Sequence, residues 1–161
     1  MRRFFAFVAV ALGVLSLAAA EAQRPRETPY WASISAGRAM MRTGPGRNYP
    51  ATWLYIRPDL PIRVVEVYQN WRKIQDPDGT TGWMMAQLLS EARTGIVRGD
   101  EPRPMHEQAD DRSTVRYRAE PGVVGRVSRC AAGWCHFDVR GKGGYIRVGH
   151  IWGVEPGESI G

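Results

Sequence analysis

Two segments of this chain present the same features in the same order. Residues 70–89 read NWRKIQDPDGTTGWMMAQLL, and residues 133–152 read GWCHFDVRGKGGYIRVGHIW. Their leading aromatic residues, Trp71 and Trp134, lie 63 positions apart. In both segments a polar turn containing Gly follows, then a Gly-aromatic pair and a short apolar stretch. A repeat of this period indicates two copies of one structural unit in tandem.

The similarity extends upstream of these segments. Residues 60–67, LPIRVVEV, correspond to residues 121–130, PGVVGRVSRC. The copies therefore occupy residues 31–91 and 92–156, with almost no linker between them. A domain of about 60 residues buries only roughly 60% of the surface that its unfolded chain exposes, so its stability is marginal when it folds alone. We therefore expect the copies to share an interface, with these aromatic and apolar residues as wedges: Tyr30, Trp31, Ile151 and Trp152.

The hydrophobic pattern is that of β-strands. No long window shows helical periodicity, whereas short alternating or β-branched runs recur between turn residues. The turns DPDG at 76–79 and RGKG at 140–143 each join two strands as a hairpin. We expect the Gly before Trp83 and before Tyr145 to let another backbone or ring approach closely. The predicted fold class is all-β, a small barrel or sandwich, with strands at 32–35, 61–68, 71–75, 82–85, 123–129 and 144–148.

The first 22 residues have the composition of a secretory signal peptide. Arg2 and Arg3 precede an apolar run, and small residues at 18–22 offer an A-x-A cleavage site. The alternative is a retained membrane anchor, although the run is near the lower limit of about 17 residues for a spanning helix. We predict a signal peptide at 1–22, a linker at 23–30, a tail at 157–161, and no stable membrane insertion after signal removal.

The formal charge of +6 does not indicate nucleic-acid binding. Lys and Arg residues are scattered singly among Asp and Glu, with no long run of like charge. Such a surface is solvated, or it attracts anionic polymers or lipid head groups. Because the predicted protein is exported, nucleic acid is excluded as its natural partner.

The first copy resembles a known family. RTGPGRNYP at 42–50, followed by NWRKIQDPDGTTGW, is similar to the bacterial SH3-like (SH3b) pattern R-x-G-P-G-x-x-Y-P, then W-x-x-V/I, DG and GW. The second copy resembles the variant with a WC core that ends in LWGV, here IWGV at 151–154. It lacks the R-x-G-P-G loop, and Tyr145 replaces the usual Trp. The resemblance implies two tandem five-stranded SH3-like barrels in an exported, non-catalytic protein.

The segment CAAGWCH at 130–136 admits four interpretations: a haem attachment, a zinc site, a nucleophilic cysteine or a disulfide. Haem attachment is disfavoured because the repeat places His136 on a strand. A zinc site needs four ligands, and only two cysteines and His136 are close in sequence. A nucleophilic Cys135 needs a base on its own face of the strand, and the adjacent His136 points to the opposite face. By alignment with the first copy, Cys130 ends one strand and Cys135 begins the returning strand. Facing positions suit a disulfide, and export favours oxidation. We predict a Cys130–Cys135 disulfide.

The residues that could bind a ligand are aromatic and basic. Trp53 and Tyr55 alternate with Leu54 and Ile56, so burial of the aliphatic pair would expose the aromatic pair. An exposed aromatic pair beside arginines suits a glycan, a peptide or a carboxylate, and a contact between the barrels is the alternative. The candidate binding residues are Arg42, Arg47, Tyr49, Trp53, Tyr55 and Arg57.

The predicted function is a non-catalytic cell-envelope module, periplasmic or envelope-associated, that binds peptidoglycan or an envelope protein through the first barrel. No pair of carboxylates flanks a cleft, and no Gly-rich phosphate loop opens a helix. We predict no catalytic residue, no metal and no cofactor. The alternatives are a periplasmic enzyme or electron carrier that uses Cys130, Cys135 and His136, and a structural subunit of an envelope complex.

Overall fold

Residues 26–161, which the computed structural model describes, form two antiparallel sheets and two short 3₁₀ turns. The fold is all-β, as the sequence predicts. The signal peptide predicted at 1–22 lies outside the described residues. No helix in residues 26–161 is long and apolar enough to cross a membrane.

The first sheet is built from residues 30–90. Its strands are β1 (Tyr30–Ile34), β2 (Ala39–Arg42), β3 (Ala51–Tyr55), β4 (Pro61–Tyr68), β5 (Trp71–Gln75), β6 (Thr81–Met85) and β7 (Leu89–Ser90). A 3₁₀ turn, Ala86–Leu88, precedes β7. The strand order is β3-β2-β6-β5-β4-β1-β7.

The second sheet repeats this arrangement over residues 94–152. Its strands are β8 (Thr94–Val97), β9 (Arg103–His106), β10 (Val115–Ala119), β11 (Val124–Ala131), β12 (Trp134–Val139), β13 (Lys142–Arg147) and β14 (Ile151–Trp152). A 3₁₀ turn, Val148–His150, precedes β14. The strand order is β10-β9-β13-β12-β11-β8-β14, in which each strand corresponds to the strand seven places earlier in the order of the first sheet. The identical topology confirms two tandem SH3-like domains.

The strand count differs from the sequence prediction. Each sheet has seven strand segments in the described chain, where five were predicted. Two regions of the first barrel form strands that the sequence prediction did not include. The flanks of the RTGPGRNYP loop pair with each other as β2 and β3, with Met41 opposite Trp53. After the 3₁₀ turn, the chain also returns as the two-residue strand β7, in which Leu89 pairs with Ile34 of β1.

Each sheet closes over its own core. Alternation along β11 and β12 places Val127 and Phe137 inside while Arg126 is exposed, because successive side chains point to opposite faces. The first core contains Ile34, Met41, Ile62, Val64, Ile74 and Met84, and the second contains Val97, Met105, Val127, Cys135, Phe137 and Ile146. Of the two aromatic residues in the repeated segment of the first barrel, Trp83 is buried and Trp71 is partly buried.

Two equivalent glycines allow the close approach that the sequence predicts. A Cβ on Gly82 would lie 2.5 Å from Met41 Cγ and 3.0 Å from the Arg42 carbonyl oxygen. A Cβ on Gly144 would lie 3.0 Å from the His106 carbonyl oxygen. At this point β6 pairs with β2 in the first barrel and β13 pairs with β9 in the second, so each glycine lies where another strand leaves no room for a Cβ.

The structure contains the predicted Cys130–Cys135 disulfide, with the two Cα atoms 4.0 Å apart. Ala131 pairs with Trp134 at the tip of the β11–β12 hairpin, so the cysteines occupy the next facing position. Both side chains lie in the second core, while the ring of His136 packs edge to face against Tyr145. The disulfide therefore staples the hairpin from inside.

The two barrels meet across a buried junction. The rings of Trp31 and Trp152 are in contact at 4.6 Å between centroids, which confirms two of the four expected wedges. Ile96 of β8 belongs to the core of the first barrel, and Val124 packs against that core. Arg63 of β4 forms an ion pair with Glu155 at 3.1 Å. Tyr30 and Ile151 pack mainly on the cores of their own barrels.

The chain end is attached to the second barrel. The Ile160 backbone N–H donates to the Cys130 carbonyl oxygen at 3.0 Å, and the Ile160 side chain packs against the second core. Glu158 accepts hydrogen bonds from both terminal nitrogens of Arg93, at 2.5 and 2.9 Å. The residues predicted as a tail, 157–161, thus contact the barrel that precedes them.

Candidate ligand-binding site

A groove of about 930 Å³ follows the junction of the two barrels. We call it the junction groove. Residues 53–57 and 60, together with residues 76–78 and 80 of the β5–β6 turn, form its first wall. Residues 96–99, 121 and 122 form its second wall. Because both barrels supply a wall, the groove exists only where they meet.

Two exposed apolar side chains stand at the lip of the junction groove. Trp53 is 59% exposed and Ile56 is 69% exposed. β3, which carries Trp53, is an edge strand of the first sheet, so it pairs with only one strand of the described chain, β2. The buried side chains of Leu60 and Ile96 line the groove below them. The groove thus combines an apolar floor with an aromatic rim.

Tyr55 departs from the sequence prediction. Alternation predicted that Trp53 and Tyr55 are exposed together if Leu54 and Ile56 are buried. That condition is not met, because Ile56 is 69% exposed, and Tyr55 is 6% exposed. β3 ends at Tyr55, so Ile56 lies beyond the strand and does not take the inward position. The Tyr55 hydroxyl donates to Asp76 Oδ2 at 2.9 Å, which holds the ring inside. Tyr55 therefore contributes to the groove wall from within the first core.

Asp76 joins the two parts of the first wall. Its Oδ1 accepts the backbone N–H groups of Asp78 at 3.0 Å and Thr80 at 2.8 Å, and its Oδ2 accepts the Tyr55 hydroxyl. Burial, followed by the hydrogen bond to Asp76, raises the pKa of Tyr55 well above its ordinary value. The carboxylate thus fixes the β5–β6 turn against β3 and sets the shape of this wall.

Polar contacts tie the two walls together at the surface. The Arg57 guanidinium donates to the Gly122 carbonyl oxygen at 2.5 Å. Arg98 lies 3.6 Å from Asp78, with both side chains largely exposed. Exposed pairs of this kind contribute roughly 0–1 kcal/mol each. They fix the positions of charges along the groove more than they stabilise the fold.

The other predicted binding residues lie outside the junction groove. Arg42 donates to the Tyr49 carbonyl oxygen at 2.8 Å, which braces the RTGPGRNYP loop. The Tyr49 ring covers Gly44 and leaves no room for a Cβ there. Arg42 and Arg47 line a separate cavity of about 140 Å³ beside Trp71. The structure therefore splits the six candidates into three at the groove and three at this loop.

Sequence reasoning missed the part of the site that the second barrel supplies. Arg98 and Gly122 face Asp78 and Arg57, their partners across the groove. No motif marks either residue, because each acquires its position only when the barrels pack together.

The CAAGWCH segment presents no free thiol. Both Sγ atoms belong to the disulfide, so neither is a thiolate ligand or a nucleophile. Burial, followed by the charge of Arg129, lowers the pKa of His136. No group of three His, Cys, Asp or Glu side chains in the described part of the chain is placed to hold a metal ion.

Two sheets of one topology, with a groove between them and a disulfide in the second, define a tandem SH3-like protein. The family model described as bacterial SH3 domain matches residues 35–91 and 99–153. The chain belongs to this family. Domains of the family are typically non-catalytic binding modules, often bind cell-wall material and are commonly extracellular or envelope-associated.

No curated protein matches the chain. Among solved structures, NlpC2 from Trichomonas vaginalis is 10% identical with a TM-score of 0.34, covering 80% of this chain and 49% of that one. NlpC1 from the same organism is 11% identical with the same TM-score, covering 81% and 48%. An NlpC/P60 family protein from Bacillus cereus ATCC 10987 is 10% identical, with a TM-score of 0.34 and coverage of 76% and 55%. The chain spans about half the length of these solved proteins.

Proposed function

We propose that this protein is an exported, non-catalytic module that binds cell-wall peptidoglycan in the junction groove. The observation that carries the proposal is the exposed Trp53 at the lip of a groove of about 930 Å³. Ligand sites in proteins are concave and mostly apolar, with a few fixed polar groups. An exposed indole offers a flat apolar face to a sugar ring or a peptide backbone.

The disulfide and the family are the grounds for an envelope location. Disulfides form and persist in oxidising compartments such as the periplasm and the cell exterior. The Cys130–Cys135 bond is consistent with export, and bacterial SH3 domains are commonly envelope-associated. Peptidoglycan is the polymer that such a module meets there in quantity.

Sedimentation with purified, insoluble peptidoglycan tests the proposal. We expect the wild type to sediment with the polymer and Trp53→Ala to remain mostly in solution. Tyr68→Ala is the matched control, because Tyr68 is 50% exposed and lies outside the groove. Equal sedimentation of wild type and Trp53→Ala would remove the groove from the binding site, and no sedimentation of the wild type would refute the function.

The non-catalytic part of the proposal has its own measurement. The wild type is incubated with peptidoglycan, and the soluble fraction is analysed for released fragments. We expect none above the level of a buffer control. Release of fragments that continues with time would show that the protein is a hydrolase.

A further inference from the structure

A second cleft adjoins the junction groove and has a different character. It has a volume of about 300 Å³ and lies between the β3–β4 turn of the first barrel and the β11–β12 face of the second. Arg57 lines both the junction groove and this cleft. The two cavities are therefore neighbours that share one side chain. A ligand longer than the junction groove could reach the second cleft without leaving the protein surface.

The second cleft has a net positive charge. Arg57, Arg126 and Arg140 line it, and none of them forms an ion pair within residues 26–161. Arg57 donates to a neutral carbonyl group, that of Gly122, which orients its guanidinium without adding a negative charge. Arg126 and Arg140 are exposed.

Two carboxylates also line the cleft and offset part of its positive charge. Asp138 lies opposite Arg126 across the β11–β12 ladder, but its Oδ1 accepts the Gly141 backbone N–H at 2.9 Å and caps the hairpin turn. Asp59 is exposed in the β3–β4 turn. Three arginines against two carboxylates leave the cleft with a net positive charge.

From this arrangement we propose that the ligand continues from the junction groove into the second cleft, where the arginines bind its carboxylates. The proposal rests on the proposed function and names the part of the polymer that is recognised, namely stem peptides with free carboxylates. Guanidinium groups bind carboxylates through two parallel hydrogen bonds, which provides direction as well as charge. Trp53 and the arginines then act as two linked subsites, and linked subsites bind more tightly than either does alone.

A charge-matched pair of double variants tests the second cleft. Arg126→Gln/Arg140→Gln removes two positive charges from it. Arg112→Gln/Arg118→Gln removes two from exposed positions of the same barrel that line neither cavity. In sedimentation with native peptidoglycan we expect the first variant to bind about five-fold more weakly than wild type, since exposed contacts between opposite charges each contribute little. We expect the second to bind like wild type, because neither of its arginines lines the two cavities.

Chemical amidation of the polymer identifies the recognised group. On peptidoglycan whose carboxylates have been converted to amides, we expect wild type and Arg126→Gln/Arg140→Gln to bind equally. Peptidoglycan stripped of phosphate-bearing polymers is the second arm, and there the difference between the two proteins should persist. A difference that disappears on stripped peptidoglycan would assign the arginines to phosphate and overturn the proposal.

The outcomes separate this inference from the proposed function. If wild type sediments, Trp53→Ala does not, and both arginine variants behave like wild type, the function stands and the second cleft is refuted. If wild type sediments with no form of peptidoglycan, both proposals are refuted. Far-ultraviolet circular dichroism and thermal unfolding confirm that each variant is folded, as expected for substitutions of exposed arginines.

Discussion

The indole of Trp31, in the first strand of the first barrel, packs edge to face against the indole of Trp152, in the last strand of the second. The ring centroids are 4.6 Å apart and the planes are at 89°. Edge-to-face aromatic pairs contribute roughly 0.5–1.5 kcal/mol beyond the area they bury. Together with Ile96 in the first core, this pair makes the junction a shared core. The junction groove is therefore a fixed cleft.

Truncation of Trp31 tests the shared core. Trp31 is 8% exposed, so we expect Trp31→Ala to lower the free energy of unfolding by about 3 kcal/mol. Urea unfolding followed by tryptophan fluorescence and by circular dichroism measures this loss. Trp53→Ala is the matched control, because Trp53 is 59% exposed and its loss should change stability by less than about 0.5 kcal/mol. Equal stability of the two variants would contradict a shared core.

The hydroxyl of Tyr55 offers a second stability test. Tyr55→Phe deletes the donor to Asp76 Oδ2 and leaves one oxygen of a buried carboxylate short of a partner. We expect a loss of about 1.5 kcal/mol in the free energy of unfolding. Tyr49→Phe, at a tyrosine that is 43% exposed, should leave stability unchanged. Chemical denaturation of the three proteins side by side decides the matter, and an unaffected Tyr55→Phe would argue against the hydrogen bond.

The raised pKa of Tyr55 predicts a particular pH dependence. The unfolded chain releases this phenolic proton near its ordinary pKa of 10.0, while the folded protein retains it, because burial and Asp76 oppose ionisation. The folded state then binds more protons, so the free energy of unfolding falls as pH rises above that value. Over pH about 9 to about 11, we expect wild type to lose more stability than Tyr55→Phe. Parallel pH profiles of unfolding would contradict this.

The disulfide should stabilise the second barrel modestly. Closing so short a loop contributes about 2 kcal/mol on the chain-entropy estimate. We expect a reductant to lower the free energy of unfolding of wild type by that amount and to leave Cys130→Ser/Cys135→Ser unaffected. The intact mass should not change on alkylation without reductant. Addition of two alkyl groups under those conditions would show free thiols instead.

Gly82 and Gly144 should tolerate no side chain. Gly82→Ala places a Cβ 2.5 Å from Met41 Cγ, and Gly144→Ala places one 3.0 Å from Met105 Cβ. Overpacking of this kind costs about 2 kcal/mol. Gly149→Ala is the control, because nothing lies within 4 Å of its added Cβ. Thermal unfolding of the three variants should rank Gly149→Ala closest to wild type; similar melting of all three would remove the packing argument.

Much of the fold could be predicted from the chain itself. Trp71 and Trp134 begin equivalent strands, β5 and β12, as the repeat predicts. The Cys130–Cys135 bond could be predicted because both cysteines flank one tight hairpin. These features are local: each depends on residues within a few positions of one another, where alternation and turn residues determine the conformation.

The candidate site could be predicted only in part. Alternation predicted that Trp53 and Tyr55 share one exposure, but Trp53 is exposed and Tyr55 is buried, because the Tyr55 hydroxyl donates to Asp76. Arg42 stands among the candidates by its position in the RTGPGRNYP motif, yet its guanidinium braces that loop. The two-residue period of a strand predicts which side chains share a face. It does not predict where the strand ends or which face other parts of the protein cover.

The sequence by itself determined the class of fold, its duplication and the staple of the second barrel, because all three follow from short-range patterns. Only the tertiary structure decided where a ligand could bind. The Arg57 guanidinium donates to the carbonyl oxygen of Gly122, which is 65 positions away in the chain. Ile96, a residue of the second barrel, packs in the core of the first. Such contacts depend on how the surfaces of the two folded barrels pack against each other. No local sequence pattern encodes this packing, because it involves side chains from the whole junction.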